Sequence, residues 1–481
     1  MPRIIFPTAR GYAILHKITC KKEVYAMPDT IAAIATIQAP SAIGIVRLTG
    51  PDTRRILDGV FAPANGRPMS AQTPRKLVFG RALDRSGGVI DEALAVLFPG
   101  PNSYTGEDCA EIHCHGSPVV LDEVLAAAFA RGARQARGGE FTQRAFLSGR
   151  MDLIQAESVA DLIDAESAGA ARNAVGQLQG RMSRSVGGIY DALMDVVSRF
   201  YAIVDYPDEE IEPLQQAQIE QTLAESAERL DALLATFSRG RLLKSGVPAV
   251  ILGKPNAGKS SLLNALLGYD RAIVTDIAGT TRDTVEEKVL VGSVLLRLCD
   301  TAGIRDAADT VERLGVERAQ QAAQRAELAL LVLDGSAPLT REDEEAIAAA
   351  LRARRMLVLV NKADLPQVLD TAALRVRFGE VIPLSARSGA GVDALCRAVE
   401  ELFAGGETPR GELLTNARQA ESAQRALDAV RRAEQALRSG LSPDAVLTDA
   451  EEAMEALAEF SGKRVRDDLV ATIFSRFCVG K

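Results

Sequence analysis

The spacing of apolar positions changes twice along this chain. Between residues 27 and 146 it is short and strand-like. Thr30–Ala35, Ile43–Leu48 and Leu94–Phe98 read as strands, the last stopped by Pro99-Gly100. Glu111–Gly116 alternates, which puts His113 and His115 on one face and Ile112 and Cys114 on the other. Val119–Ala130 reads as a helix, so residues 27–146 are expected to form a compact α+β domain. From 147 to 245 the period becomes helical, with Leu153, Ile154, Val159, Leu162 and Ile163 on one stripe. The acidic stretch Asp205–Glu210, punctuated by Pro207, interrupts it as a solvated loop, and helix resumes from Ala217 to about Phe237. Helical spacing returns after Gly405-Gly406, from Ala417 to Phe477, with breaks at Ser439-Gly440 and Ser461-Gly462. Neither helical block makes an obvious domain alone. The economical expectation is one discontinuous all-α domain, 147–245 with 406–481, cut by an insert at 246–405.

The insert opens with Val250-Ile251-Leu252, an apolar run expected to be a buried parallel strand. It feeds Gly253-Lys254-Pro255-Asn256-Ala257-Gly258-Lys259-Ser260, which fits G-x-x-x-x-G-K-[ST], and Ser261 begins an apolar helical face through Leu262, Leu263, Ala265, Leu266 and Leu267. Strand, glycine loop and helix in that order are the context a phosphate-binding loop needs. Backbone N–H groups wrap the phosphates, Lys259 reaches the β and γ oxygens, and Ser260 takes Mg²⁺.

Four further signals follow in order. Gly279-Thr280-Thr281-Arg282-Asp283 can cover a nucleotide and offer a second threonine to Mg²⁺. A strand at Leu295–Cys299 ends in Asp300-Thr301-Ala302-Gly303, where Asp300 suits the outer Mg²⁺ shell and the Gly303 N–H the γ-phosphate. Strands at Leu328–Leu333 and Met356–Val360 lead to Asn361-Lys362-Ala363-Asp364. A carboxylate at Asp364 accepts from both N1–H and the amine of guanine, a pairing adenine cannot make. Ile382–Arg387, with Ser385, Ala386 and Arg387, completes the base pocket. Each motif is weak alone; the five in order within one domain-sized stretch are specific for a GTPase.

One departure carries weight. Where Ras-like proteins place a water-orienting glutamine, this chain has Ile304, and no arginine finger is evident in the same chain. A monovalent cation held between Asn256 and the covering loop would occupy the finger's place. Glu312, within Thr310–Gly315, is either a general base acting through a water or an exposed carboxylate at a helix start.

Composition narrows the partners. The chain has 481 residues, 47% hydrophobic but only 4% aromatic and without Trp, so extended stacking platforms for bases are not expected. A net charge of −8 argues against a free-standing, strongly RNA-binding protein; any RNA contact is local or made with a partner. The six cysteines have no C-x-x-C spacing, which fits a reducing compartment. His113 and His115 near Glu111 resemble part of a metal site, but the domain has no further His to complete one. Arg131, Arg134, Arg137, Arg144 and Arg150 either face an anion or form a solvated basic edge. Residues 1–26, with five Lys/Arg and one acid, are a poor secretory signal and read as an upstream start, a disordered lead or a transit peptide.

Several stretches resemble the tRNA modification GTPase family MnmE (TrmE), over nearly the whole length from Met27. They are Gly44–Arg47, Pro101–Asp108, Gly139–Phe146, GKPNAGKSSLLNAL, TDIAGTTRD, DTAGIR and the terminal Phe477-Cys478-Val479-Gly480-Lys481. The resemblance implies a multi-domain α/β protein. It would have an N-terminal α+β folate-binding and dimerising domain, a discontinuous helical domain, and an inserted Ras-like G domain with a mixed, mostly parallel sheet. It implies GTP contacts at 256–261, at Thr275, Asp276, Ile277, Ala278, Gly279, Thr280 and Thr281, at Asp300–Gly303, at 361–364 and at 385–387. It implies Mg²⁺ on Ser260 and Thr281, K⁺ on Asn256, Thr275, Ile277 and Thr280, and catalysis by Glu312. Folate, as a 5-formyl- or methylene-tetrahydrofolate, would meet Arg47, Glu111, Arg150 and Lys481; Arg150 stands where Lys is common. Cys478 would be either a reactive thiol near the folate or a small hydrophobe in a packed tail. The implied role is cytoplasmic: a homodimer working with the flavoprotein GidA (MnmG) to place an aminomethyl or carboxymethylaminomethyl group on the wobble uridine of certain tRNAs. A ribosome-assembly GTPase would explain the insert equally, but not residues 27–146 or the terminal motif; a regulatory switch with a helical interaction arm would make residues 27–146 a scaffold, and folate binding there would count against it.

Overall fold

A computed structural model describes residues 29–205, 216–269, 287–299, 320–403, 411–463, 473–474 and 477–480. The lead 1–26, Pro207 with the acids after it, Thr275–Thr281, Asp300–Gly303, Ile304, Glu312 and Lys481 lie outside the described residues. The chain divides into two compact units, one from residues 1–160, 177–231 and 421–481, the other from 161–176 and 232–420. Among the described residues no helix is long and apolar enough to cross a membrane.

The first unit carries a seven-stranded sheet. Its strands are β1 (Ile31–Ile34), β2 (Ser41–Thr49), β3 (Phe61–Pro63), β4 (Val78–Leu83), β5 (Val89–Phe98), β6 (Cys109–Gly116) and β7 (Arg134–Gln135), in the order β3-β4-β5-β6-β2-β1-β7. Helices α1 (Thr53–Val60) and α2 (Pro118–Ala130) cover one face, burying Val46, Leu48, Leu97 and Ile112 against Ile56, Leu121 and Val124. The alternation in β6 falls as expected: Ile112 and Cys114 go into this core, and His113 and His115 go to the other face. There His113 meets Glu111 at 3.2 Å and His115 meets Asp91 at 2.8 Å, and the described residues contain no cluster of three metal-ligating side chains.

The arginine group divides: Arg131, Arg134 and Arg144 are engaged by carbonyls or carboxylates, while Arg137 and Arg150 are exposed. Arg144 on α3 (Glu140–Leu147) is 1% exposed and pairs with Asp29 at 2.8 Å, Glu107 at 3.1 Å and Glu140 at 3.3 Å. Arg134 pairs with Asp29 at 2.6 Å and Glu140 at 2.5 Å. Burial alone would raise the Glu140 carboxyl, but Arg134, the Arg137 N–H and Arg144 together hold it down at about 2. Arg131 is spent on the carbonyls of Ala127 and Asp84. The network exists because a buried carboxylate needs several donors, and the sequence supplies arginines from three segments. Arg150 is the exception: it is exposed and makes no ion pair among the described residues.

Helices α4 (Leu153–Ile163), α5 (Ala168–Leu178), α6 (Arg181–Asp205), α7 (Gln216–Ala235), α8 (Phe237–Ser245), α9 (Lys259–Tyr269), α10 (Arg341–Ala350), α11 (Thr371–Phe378), α12 (Val392–Phe403), α13 (Ala417–Arg438) and α14 (Pro443–Ser461) follow. The breaks expected at Ser439-Gly440 and Ser461-Gly462 are present, with both glycines at positive φ just past α13 and α14. In the first unit Tyr201 of α6 donates to Glu451 of α14, and Arg432 of α13 bridges Asp449 and Glu452.

The second unit is built on a six-stranded sheet, β13-β12-β11-β8-β10-β9, from β8 (Val247–Leu252), β9 (Glu287–Val291), β10 (Val294–Leu298), β11 (Leu328–Asp334), β12 (Arg355–Asn361) and β13 (Val381–Pro383). All pairs are parallel except β9–β10. Both faces are buried, which is why β8 and β11 are apolar runs rather than alternations. Ile251 and Leu330 pack against Leu262 of α9 and Leu395 of α12; Val250 and Leu331 pack against Ile347 of α10 and Leu374 of α11. Helical stretches 161–176 and 232–245 cluster with this sheet. Buried Asn173 binds the chain where it leaves the sheet, accepting from the Gly411 and Leu413 N–H groups and donating to the Leu413 carbonyl.

Candidate functional site

The phosphate loop sits where β8 ends and α9 begins, at the carboxyl edge of the sheet. Gly253 has φ +155, and a Cβ there would meet the Val332 carbonyl at 2.3 Å. Gly258 has φ +101, and a Cβ would lie 2.1 Å from Asn361 Nδ2. Only glycine permits that approach, and the approach matters: Asn361 donates to the Ala257 carbonyl at 2.8 Å and accepts from the Ala386 N–H at 2.9 Å. One 2%-exposed side chain therefore joins the phosphate loop to the base loop.

Lys259 donates to the carbonyls of Gly253 (2.8 Å) and Lys254 (2.9 Å). Burial pushes its ammonium below the ordinary lysine value, since those carbonyls carry no full negative charge. A polyanion is the ligand that would relieve this. Asp364 is exposed on the base loop, and the Ser385 hydroxyl, with Arg387 and Lys362 nearby, holds its carboxyl below the usual range. It is thus an acceptor at neutral pH, as pairing with guanine requires. Lys362 leans to Asp334 at 2.6 Å, and Ser385 is buried. Asn256 has φ +60 and is exposed at the loop tip, with Ser260 and Ser261 also exposed.

Sequence motifs did not reveal the support beneath this loop. Lys254 pairs at 2.8 Å with Asp343, which is 1% exposed and also closes the capping box of α10 with Thr340. The Thr340-x-x-Asp343 spacing signals the cap; nothing local signals the lysine 89 positions away.

A second constellation lies on the sheet face opposite α1 and α2. Arg47 of β2 and Glu111 of β6, direct cross-strand neighbours, pair at 2.9 Å. The Arg47 guanidinium lies 5.5 Å from the Tyr104 ring and 5.7 Å from the Phe141 ring, and donates to the Gly480 carbonyl at 3.3 Å. The carboxyl-terminal tail is held there by a bridge between Val479 and Gly138, and by Gly139 N–H donating to the Cys478 carbonyl. Gly480 has φ +97, and a Cβ would strike the Ile34 carbonyl at 2.4 Å. Of the expected folate residues, Arg47 and Glu111 come together, beside the tail as far as Gly480. Arg150 stands against Gly106, two residues after Tyr104. Cys478 is exposed on a tail held through its backbone. Tyr104 and Phe141 were missed, though both fall within the family-like stretches.

A parallel sheet with this loop, and with an Asn-Lys-x-Asp loop tied to it by Asn361, defines a P-loop GTP-binding protein of the hydrolase class. A family model described as "GTP-binding protein TrmE N-terminus" matches residues 30–150, and one described as "MnmE helical domain" matches 153–478. A curated tRNA modification GTPase MnmE from Roseiflexus sp. (strain RS-1) is 45% identical over 465 residues, 94% of this chain and 99% of that protein. Proteins of the same name from Symbiobacterium thermophilum and Heliobacterium modesticaldum are each 42% identical, with 94% of this chain and 99% of those proteins covered. Among solved structures, the G domain of the T. maritima FeoB iron transporter covers 33% of this chain at 20% identity, with a TM-score of 0.25. The chain belongs to the MnmE family of tRNA modification GTPases.

Proposed function

We propose that this GTPase drives modification of the wobble uridine of certain tRNAs, adding an aminomethyl or carboxymethylaminomethyl group at C5 together with a GidA-type flavoprotein. The observation that carries the nucleotide half is Asn361, which locks phosphate loop and base loop into one frame beside an ionised Asp364. In this reading Lys259 and the loop N–H groups neutralise charge on the phosphates, and Glu312 takes a proton from the attacking water through a second water. Ser260 and Thr281 would hold Mg²⁺, and Asn256, Thr275, Ile277 and Thr280 would hold K⁺; these cations supply positive charge next to the phosphate oxygens. Asp276, Ala278, Gly279, Asp300–Gly303, Lys362 and Ala363 complete the nucleotide contacts.

The N-terminal face would receive a tetrahydrofolate carrying the one-carbon unit. The fit rests on chemistry: the Glu111 carboxylate can accept from the amino-pyrimidine edge of a pterin, while the Tyr104 and Phe141 rings wall the same spot. Arg150 and Lys481 would contact the remainder. A homodimer through this domain is supported by Phe79 and Leu94, cross-strand neighbours that are 54% and 37% exposed on the same sheet face.

The test is GTP hydrolysis by the full chain in K⁺ and in Na⁺, beside Asn256→Ala and Glu312→Ala, followed by nucleoside analysis of tRNA incubated with the flavoprotein and a folate. Strong K⁺ stimulation lost in Asn256→Ala, with an altered uridine in the tRNA, is the expected result. Equal rates in both cations would remove the K⁺ assignment, and unaltered tRNA would favour the regulatory switch.

A further inference from the structure

One groove in the first unit carries two cations that make no ion pair among the described residues. It lies between the segment entering α4, helix α6 and the end of α14, with a volume of about 360 Å³, within the range of small-ligand pockets. Arg150 and Lys463 stand on its walls, both exposed. Among the described residues the Arg150 guanidinium has no hydrogen bond or ion pair, whereas Arg131, Arg134, Arg137 and Arg144 of the same domain are all spent on carbonyls or carboxylates. The Lys463 ammonium sits 4.3 Å from the centre of the Tyr190 ring, a contact that holds it in place without cancelling its charge. Ser183 Oγ, on the same wall, is buried and has no hydrogen-bond partner.

The acid on the wall is already committed. Asp152 Oδ1 accepts from the Gln155 N–H at 2.9 Å to start α4, and the Gln155 amide in turn accepts from Asp152 N–H and donates to the Leu178 carbonyl. The wall as a whole thus keeps an excess of positive charge, Arg150 and Lys463 against the one Asp152 carboxylate, with the Ser183 hydroxyl unpaired beside them among the described residues. This donor set is suited to carboxylates.

We propose that this groove binds the acidic tail of the folate, with the first glutamate beside Arg150 and the carboxylates of further γ-linked glutamates beside Lys463. The proposal rests on the folate reading above. Contiguity favours a tail over an independent anion. Arg150 borders both places: its stem approaches Gly106, in the loop that carries Tyr104 and so the Arg47–Glu111 constellation, and its side chain lines the groove. A pterin on Glu111 would thus extend its tail past Arg150 toward Lys463. A phosphodiester backbone would ask instead for a stripe of cations over a longer surface.

The experiment is equilibrium binding by the full-length protein of 5-formyltetrahydrofolate bearing one or three glutamates. Wild type is compared with Lys463→Ala, Lys463→Arg and Arg47→Ala. The triglutamate is expected to bind about tenfold more tightly than the monoglutamate, a gain that shrinks as salt rises. Lys463→Ala should remove that gain and leave monoglutamate affinity in place, Lys463→Arg should keep it, and Arg47→Ala should weaken both ligands. If wild type binds the monoglutamate but ignores tail length, or if Lys463→Ala keeps the full gain, the groove is not a tail site while the folate reading survives. If wild type binds neither, both fall. A Lys463→Ala protein with weakened tRNA binding and unchanged tail preference would also overturn the proposal and assign the groove to RNA phosphate.

Discussion

The phosphate loop and the Arg47–Glu111 constellation are assembled in opposite ways. The first is made almost wholly within Gly253–Ser261, so its anion cradle is a property of one strand, one turn and one helix start. The second joins β2 to β6 and to a tail residue 433 positions from Arg47. Local backbone geometry builds the first. Only the closed fold builds the second. The two sites should therefore fail differently.

The largest effect is expected at the local site. Lys259→Ala removes the ammonium that lies against the loop carbonyls, the other loop lysine, Lys254, being paired with Asp343; kcat/KM for GTP should fall by about a thousandfold, with the sheet unchanged by circular dichroism. A loss below tenfold would mean the loop amides alone carry the charge. Next, Asp364→Asn exchanges two acceptors for one acceptor and one donor. GTP affinity should drop about a hundredfold, and xanthosine triphosphate, which presents a carbonyl where guanine has its amine, should bind in its place. Nucleotide competition would show whether Asp364 reads the base.

Gly480→Ala probes the long-range site. The added methyl meets the Ile34 carbonyl and demands a positive φ, so the tail should leave its place beside Arg47. Folate affinity should weaken about tenfold, by roughly 1.4 kcal/mol, while GTP affinity stays put. Equal damage to both sites would mean that the two do not fold independently.

The smallest effect on function, though not on stability, is expected at Glu140. Its carboxyl is held at about 2 in the fold, against about 4.5 for an ordinary glutamate. Its contribution is complete above about 4.5, declines as pH falls, and is gone near 2, amounting to on the order of 3 kcal/mol. Glu140→Gln should flatten the acid side of the N-terminal domain's unfolding profile, followed by amide exchange in Tyr104–Phe146, without changing GTP hydrolysis at neutral pH.

These contrasts explain what was legible beforehand. The nucleotide-binding sheet followed from apolar runs because both its faces are buried. The loop residues followed from a motif whose spacing is a backbone requirement. The alternation in β6 placed His113 and His115 correctly because a strand has period two. The fate of the arginines was not legible. Whether Arg144 meets solvent, an anion or three carboxylates depends on where Asp29, Glu107 and Glu140 arrive, and no periodicity carries that. Nor did the pattern assign helical stretches 161–176 and 232–245 to the nucleotide-binding sheet, since an amphipathic stripe says that a helix is covered but not by what.

By itself, then, the sequence determined β1, β2, β5, β6, β8, β10, β11 and β12, the helix breaks at Gly440 and Gly462, the phosphate loop and the guanine-reading loop. Each depends on interactions within a few residues or on a repeating period. The tertiary structure alone decided that Asn361 ties two loops together, that Lys254 rests on Asp343, that Arg47 meets Glu111 beneath the carboxyl-terminal tail, and that Arg150 and Lys463 share a groove. Those pairings depend on chain segments brought together by burial of apolar surface, which is non-directional and leaves no local mark on the residues it juxtaposes.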